Sequence, residues 1–208
     1  MGNYSVLVLD FETTGLSPDN GDRAIEIGAV LIQNNQIVDR FQSLINPKMR
    51  ISSFIADYTG ITNQMLKMAP SADEVMHQFV DFMADHHLVA HNASFDRRFL
   101  DSELKRIRAS RKQEFACSML ISRRIYPDAP SHSLQSIIQY REIQTNGVFH
   151  RALADAEMTA LLWINMISDL KEVYHLGCVP FELLLRISRM NKDLVPKYLE
   201  RVAGECIR

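Results

Sequence analysis

Tyr4-Ser5-Val6-Leu7-Val8-Leu9-Asp10-Phe11-Glu12-Thr13-Thr14-Gly15 is the stretch on which the reading of this chain turns. Four apolar residues in a row, Val6 to Leu9, lead at once into a polar turn containing glycine. That pattern predicts a buried β-strand over residues 4–11, with the turn at residues 13–15. Side chains two apart on a strand share a face, so Asp10 and Glu12 point the same way at the strand's end. Phe11 turns to the opposite side, into the core. Two carboxylates placed there cost free energy unless something positive lies between them. Spacing alone is a weak signal, because Asp101/Glu103 and Asp155/Glu157 repeat it. The strand-then-turn context singles out the first copy.

Outward from this strand, residues 24–33 and 36–45 flank Asn34-Asn35 and read as a hairpin that Pro47 ends. Residues 48–70 show no clean period and are expected to form a loop with a short helical piece. Ser71 and Glu74 form a capping box for a helix with Val75, Phe79, Phe82 and Met83 on one face. Leu88–Ala90 reads as a fourth strand, Ser94 as the cap of a helix running to about Arg108, and Phe115–Cys117 as a fifth strand. Helices are expected near 118–125, 133–140 and 151–170, with two more around 180–190 and 194–202. Three strands in succession and then strand–helix alternation predict an α/β layered domain with a mixed sheet. The expected organisation is one domain over residues 1–170 and a helical extension over 171–208 packed on it.

Composition excludes several classes. The chain has 208 residues, 47% hydrophobic and 23% charged, which is ordinary for a globular protein. No apolar run reaches the ~18 residues a membrane-spanning helix needs, so no membrane partner is expected. The start, Met1-Gly2-Asn3-Tyr4-Ser5, lacks a basic segment and reads as neither a secretory signal nor a myristoylation site. Cys117, Cys178 and Cys206 are odd in number and far apart, which points to reduced thiols and a cytoplasmic location rather than disulfides or zinc. The absence of GxxxxGK[ST] excludes a P-loop phosphotransferase. The net charge of −2 divides unevenly: −6 over residues 1–90, then +2 over 91–170 and +2 over 171–208. A basic run from Arg97 and Arg98 through Lys105, Arg106, Arg108, Arg111 and Lys112 suits a solvated helix face whose cations meet the C-terminal dipole.

Two further segments carry ionisable groups where chemistry would need them. His91-Asn92-Ala93-Ser94-Phe95-Asp96 follows the fourth strand directly. If that strand lies beside the first, His91 and Asp96 reach the same sheet edge as Asp10 and Glu12, where α/β sheets bind ligands. His150-Arg151-Ala152-Leu153-Ala154-Asp155 stands at the start of the long helix and places Asp155 one turn in. Taken singly, Asp96 is a carboxylate favoured by a helix dipole and each histidine an ordinary cap or surface residue. Together, four carboxylates at one edge would repel by about 4 kcal/mol per pair at ~4 Å, so they require protons or cations. An all-oxygen set suits Mg²⁺ or Mn²⁺, and two such ions clamp both oxygens of a phosphodiester displacement.

Asp10-Phe11-Glu12-Thr13-Thr14-Gly15, His91-x4-Asp96 and His150-x4-Asp155 resemble, in order, the three motifs of the DEDDh (DnaQ-like) exonucleases. That family includes the epsilon proofreading subunit of bacterial DNA polymerase III and ribonuclease T. The likeness covers roughly residues 4–170, and Tyr58-Thr59-Gly60-Ile61-Thr62 and Ser131-His132-Ser133-Leu134 extend it. The resemblance implies a ribonuclease H-like three-layer fold with a five-stranded mixed sheet. It implies a 3′→5′ exonuclease that releases nucleoside 5′-monophosphates with two Mg²⁺ or Mn²⁺ ions held by Asp10, Glu12, Asp96 and Asp155. His150 is implied as general base. Phe11, Thr13, Thr14, Gly15, Leu16, Tyr58, Thr59, His91, Asn92 and Phe95 are the implied substrate-binding residues. Many epsilon subunits have His where this chain has Thr59. DNA is expected over RNA, with single-stranded 3′ ends preferred; an exoribonuclease and a catalytically silent nucleic-acid-binding or polymerase-accessory module are the alternatives. Residues 171–208 contain no Gln-x-x-Leu/Met-x-Phe clamp-binding stretch, which favours a free-standing enzyme, with a DNA polymerase or repair assembly as the partner class.

Overall fold

In the computed structural model, which describes residues 4–145 and 150–205, the N-terminal apolar run becomes the middle strand of a five-stranded sheet. The strands are β1 (Val6–Thr13), β2 (Ala24–Gln33), β3 (Gln36–Leu44), β4 (His87–Ala90) and β5 (Phe115–Cys117), in the order β3-β2-β1-β4-β5. β1–β2 and β2–β3 are antiparallel, whereas β4 runs parallel to β1 and β5 parallel to β4. β1 extends two residues beyond the expected end, because Glu12 and Thr13 keep pairing with Glu26 and Ala24 across a register shift. Asp10 and Glu12 therefore lie within a paired strand, opposite Gly28 and Glu26. Asn34 and Asn35 both adopt positive φ (52° and 62°), the geometry a two-residue hairpin demands and asparagine tolerates.

Nine helices cover the sheet among the described residues: α1 (Ser53–Thr59), α2 (Asn63–Met68), α3 (Ala72–Met83), α4 (Ser94–Arg106), α5 (Ser118–Ile125), α6 (Leu134–Tyr140), α7 (Ala152–Tyr174), α8 (Phe181–Arg189) and α9 (Val195–Glu205). The alternation of β1 decides the layers. Leu7, Leu9 and Phe11 meet Val75, Phe79 and Met83 of α3 and Phe99, Leu100 and Leu104 of α4. Val6 and Val8 face the other way, onto a larger core with Trp163, Met166 and Ile167 of α7 and Phe181, Leu184 and Ile187 of α8. Each such side chain, fully buried, stabilises by roughly 1.5–3 kcal/mol.

Several elements differ from expectation for local reasons. Residues 48–70 hold two short helices, capped by Ser52, which accepts from the Ile55 N–H, and Thr62, which accepts from the Met65 N–H; Gly60 ends the first at φ 71°. Ser94 is the first helical residue rather than the cap; Ala93 holds that position without a side-chain hydrogen bond. α4 stops at Arg106, with Arg108 at positive φ just beyond it. α7 runs unbroken through residue 170 to Tyr174, where His175 turns left-handed. Cys117 and Cys178 are free thiols. Met1 to Asn3 and Cys206 lie outside the described residues. No helix among those described is long and apolar enough to cross a membrane.

Candidate active site

The acidic site forms where β1, α4 and the start of α7 meet, and Gly28 is what lets α7 come so close. A Cβ at Gly28 would overlap the backbone of Ala152 and Leu153, so the first turn of α7 rests on bare β2 backbone opposite Asp10. Glu26, fully buried, fastens the same turn. Its carboxylate takes two hydrogen bonds from Arg151 (2.7 and 3.1 Å), one from the Ala152 N–H at 3.1 Å and one from Gln42 at 3.0 Å. A carboxylate at a helix N-terminus satisfies an orphan donor and complements the dipole. Asp155 is thereby brought to Asp10 and Glu12, and ligand oxygens of the three lie within 4.8 Å of one another. Asp96 stands apart from that group of three. Its Oδ1 accepts the Phe11 N–H at 3.1 Å, which ties α4 to β1.

The electrostatics show what this convergence costs. Burial first, then the charges of Asp96, Asp155, Glu12 and Glu26, push the Asp10 carboxyl well above the usual range. Burial and Asp155 raise Glu12 to about 8, and burial raises Asp96 to about 7 despite the Phe11 N–H. Asp155 is raised too, mainly by burial, against the stabilising N–H of His150. An acid whose folded pKa lies above its unfolded value stabilises the fold below the unfolded pKa. That contribution is lost as pH rises through the folded pKa. Melting of metal-free protein should therefore show Tm falling as pH rises from about 4.5 toward 8, and saturating divalent cation should flatten that fall. A metal-free Tm that rises through this window would mean the cluster is compensated some other way. The donor set is all oxygen, and Arg151, the nearby cation, is already committed to Glu26. The residues present fit a hard divalent metal.

A cleft of about 690 Å³ opens over the acids. Asp10, Glu12, Asp96, Asp155 and His150 line it, together with every residue the sequence marked for substrate. The structure separates those by what already occupies them. Thr13 donates to the Gly15 carbonyl at 2.6 Å, and Thr14 donates to Asp22, whose other oxygen holds the Ser17 N–H. Gly15 lies so close to that carboxylate that a Cβ would overlap it. The turn from Thr13 to Leu16 is thus rigid, and Leu16 projects from it, 79% exposed. Thr59 is buried, its hydroxyl donating to the Ile55 carbonyl and accepting the Ile61 N–H. His91 has both ring nitrogens engaged, Nδ1 with Ser118 Oγ at 2.9 Å and Nε2 with the His132 carbonyl at 2.8 Å. Burial holds it down at about 4, so it is neutral, and the carbonyl assigns its proton to Nε2.

His150 differs on each count. It is exposed, adopts φ 68°, gives its N–H to Asp155 Oδ2 at 2.8 Å, and its ring lies 4.0 Å from that of Tyr58. Phe95 packs on Phe99, and Asn92, also left-handed at φ 65°, turns the chain into α4. Sequence reasoning missed Ser52, Phe54 and Ile55 in the lining and missed the Glu26–Arg151 pair. Phe54 stacks on Tyr58 with ring centroids 6.0 Å apart, an i,i+4 pair visible only once residues 53–59 are known to be helical.

The RNase T exonuclease family model matches residues 7–163. The PolC-type DNA polymerase III of Caldanaerobacter subterraneus subsp. tengcongensis is 41% identical over 167 residues, covering 80% of this chain and 12% of that protein. The 3′-5′ exonuclease DinG of Bacillus subtilis is 31% identical over 196 residues, covering 94% and 20%. The chain thus spans a small part of these relatives. Among solved structures, Exonuclease X in complex with 5′ overhanging duplex DNA superposes with a TM-score of 0.69 at 26% identity, covering 88% of this chain and 99% of that one. The five-stranded, ribonuclease H-like layering implied by the motifs is the layering observed. The chain belongs to the RNase T exonuclease family, in its DEDDh (DnaQ-like) group of 3′→5′ exonucleases.

Proposed function

We propose that this chain removes nucleoside 5′-monophosphates one at a time from the 3′ ends of DNA, with a strict need for divalent metal. The observation that carries the reading is the triad Asp10, Glu12 and Asp155 within 4.8 Å, open to a cleft, whose carboxyls stay raised even though Arg151 draws Glu12 down and His150 draws Asp155 down. These residues would hold Mg²⁺ or Mn²⁺, two per site, with Asp96 supporting the second. Bound there, the ions supply charge neutralisation and Lewis acidity for displacement at phosphorus. His150 takes the proton of the attacking water, and Asp155 steadies it through the backbone N–H. The rigid Thr13–Leu16 turn holds the terminal nucleotide, with Tyr58 and Phe95 against its base and Phe54 extending the stack. DNA is favoured because the relatives include DNA polymerases and the Exonuclease X structure contains DNA. A replication or repair polymerase is the partner class this supports, and a cytoplasmic location follows from it. Residues 171–208 belong, on this reading, to the same domain as an extension, in which α8 packs on α5 and α9 on α7.

Labelled linear single-stranded DNA, duplex DNA, RNA and a circular single strand, each with Mg²⁺ or Mn²⁺, test the proposal. Linear DNA should yield mononucleotides from its 3′ end, the circle should survive, and excess EDTA should stop the reaction. Efficient cutting of the circle would mean an endonuclease, and full activity in EDTA would sink the metal requirement. Faster digestion of RNA than DNA would move the substrate to RNA.

A further inference from the structure

A second cleft, of about 500 Å³, lies beside α2, between it and the segment that follows β3. Asn46, Lys48, Met49, Arg50, Asn63 and Lys67 are among the residues that line it, and no carboxylate does. Its charge is not a chance sample of the surface. Residues 1–90 are the acidic part of the chain and hold five cations: Arg23, Arg40, Lys48, Arg50 and Lys67. Arg23 pairs with Glu103 and Arg40 with Glu157. The three that enter no ion pair among the described residues all line this one cleft, and all are exposed. In the basic run from Arg97 to Lys112, Arg106 pairs with Glu103 and Arg111 with Asp101, while Arg97, Arg98, Lys105, Arg108 and Lys112 enter no ion pair among the described residues and do not line this cleft.

The cleft is built rather than loose. Asn63 Oδ1 accepts the Ile51 N–H at 2.9 Å, and its Nδ2 donates to the Ile51 carbonyl at 3.1 Å, clamping the segment onto α2. Asn46 is held by its N–H to the Pro70 carbonyl at 2.8 Å, and its side chain takes the Lys48 N–H at 2.9 Å. Lys48 itself adopts φ 57°. The segment also joins the two clefts: Arg50 lines the basic one and Ser52 the acidic one. Their Cα atoms are at most about 7 Å apart, the reach of two peptide links.

We infer that this cleft holds the phosphodiester backbone of the substrate strand, upstream of the 3′ nucleotide in the active site. The inference rests on the exonuclease reading. Three exposed cations on a clamped backbone give sequence-independent grip on phosphates through counterion release, which is what an enzyme acting on any 3′ end requires. The Asn46 side-chain NH2, whose own oxygen already holds the Lys48 N–H, suits phosphate and sugar oxygens equally well.

The test separates binding from cleavage. Anisotropy of a fluorescent oligodeoxythymidylate of about twenty nucleotides, titrated with the full chain in EDTA, reads the track without turnover. The variant is Lys48→Asn/Arg50→Gln/Lys67→Gln, with asparagine at 48 because that backbone is left-handed. Its affinity should fall, and its dependence of log K on log[salt] should flatten by about 2, near 0.7 for each phosphate of a single strand that the protein no longer neutralises. The advantage of the long strand over a trinucleotide in kcat/KM should shrink with it. Lys192→Ala, a cation elsewhere on the surface, should change neither quantity. An unchanged affinity and salt slope in the folded triple variant overturns the inference, as does wild type that fails to bind the strand. Wild type that binds with the expected slope yet cuts nothing leaves the track standing and removes the exonuclease reading.

Discussion

Asp10→Ala should lower the rate of 3′-end hydrolysis about 10²–10³-fold, the scale of deleting one pre-organised electrostatic contact from an active site. The reason lies in position. Asp10 sits in the middle strand opposite Gly28, under the first turn of α7, and feels the charges of Asp96, Asp155, Glu12 and Glu26. A group at the centre of four acids is the one whose loss most weakens the hold on a cation. The same position gives the stability arm its sign. Asp10→Asn keeps the volume but removes a charge that burial and neighbours oppose, so metal-free variant should melt above wild type at pH 8. Saturating Mn²⁺ should reverse the order, because a ligand that binds only the folded state stabilises in proportion to its affinity. Calorimetry with and without Mn²⁺, beside single-turnover cleavage, reads both. Asp10→Asn melting below wild type in both buffers, or Asp10→Ala cutting at a rate near wild type, would remove Asp10 from the metal site.

What the sequence disclosed of this arrangement was its local chemistry. The hairpin of β2 and β3 was legible because Asn34-Asn35 is a turn signal in itself, and α3 because Ser71 and Glu74 cap it reciprocally. β4 beside β1 was foreseeable as a condition for Asp10 and Asp96 to share an edge, and the parallel register of Val8 with Val89 meets it. α1 and α2 were hidden because helices of 7 and 6 residues are too short for a hydrophobic period, although Ser52, Gly60 and Thr62 mark their ends. Glu26 and Gly28 were hidden for a different reason. Their partners, Arg151 and the backbone of Ala152 and Leu153, are more than 120 residues away in sequence, and only tertiary packing brings them together. Within β2 they read as a buried run interrupted by one acid. The basic cleft shares that property, since Lys48, Arg50 and Lys67 are scattered in sequence and gathered only when Asn63 clamps the segment to α2.

His150→Ala should cost about 10²–10⁴-fold in single-turnover rate, the usual contribution of a general base. Two histidines stand near the acids, and the structure gives them opposite circumstances. His91 is buried, held neutral, and has both ring nitrogens taken by Ser118 and His132, so it has no free position for a water's proton. His150 is exposed at the cleft, its backbone fixed by Asp155 and its ring by Tyr58. Its left-handed φ of 68° is a strained backbone for a non-glycine residue, of order 1–3 kcal/mol, tolerated where geometry has a use. A base must be unprotonated to act, so the rate should rise with pH and then level off. Glu12 and Asp96, raised to about 8 and 7, would titrate across the same range without metal. The profile must therefore be taken at saturating Mn²⁺, which keeps the carboxylates ionised. Under those conditions His150→Ala should lose the rising limb while metal affinity changes little, since the carboxylates remain. His91→Ala should keep the limb and lose folding stability, through the His132 carbonyl it leaves unpaired and the buried ring it removes. A purely structural His150 would give the reverse: lower Tm and an unaltered rate per folded molecule. If the rising limb survives in His150→Ala, the proton goes to another group and the assignment of the base fails.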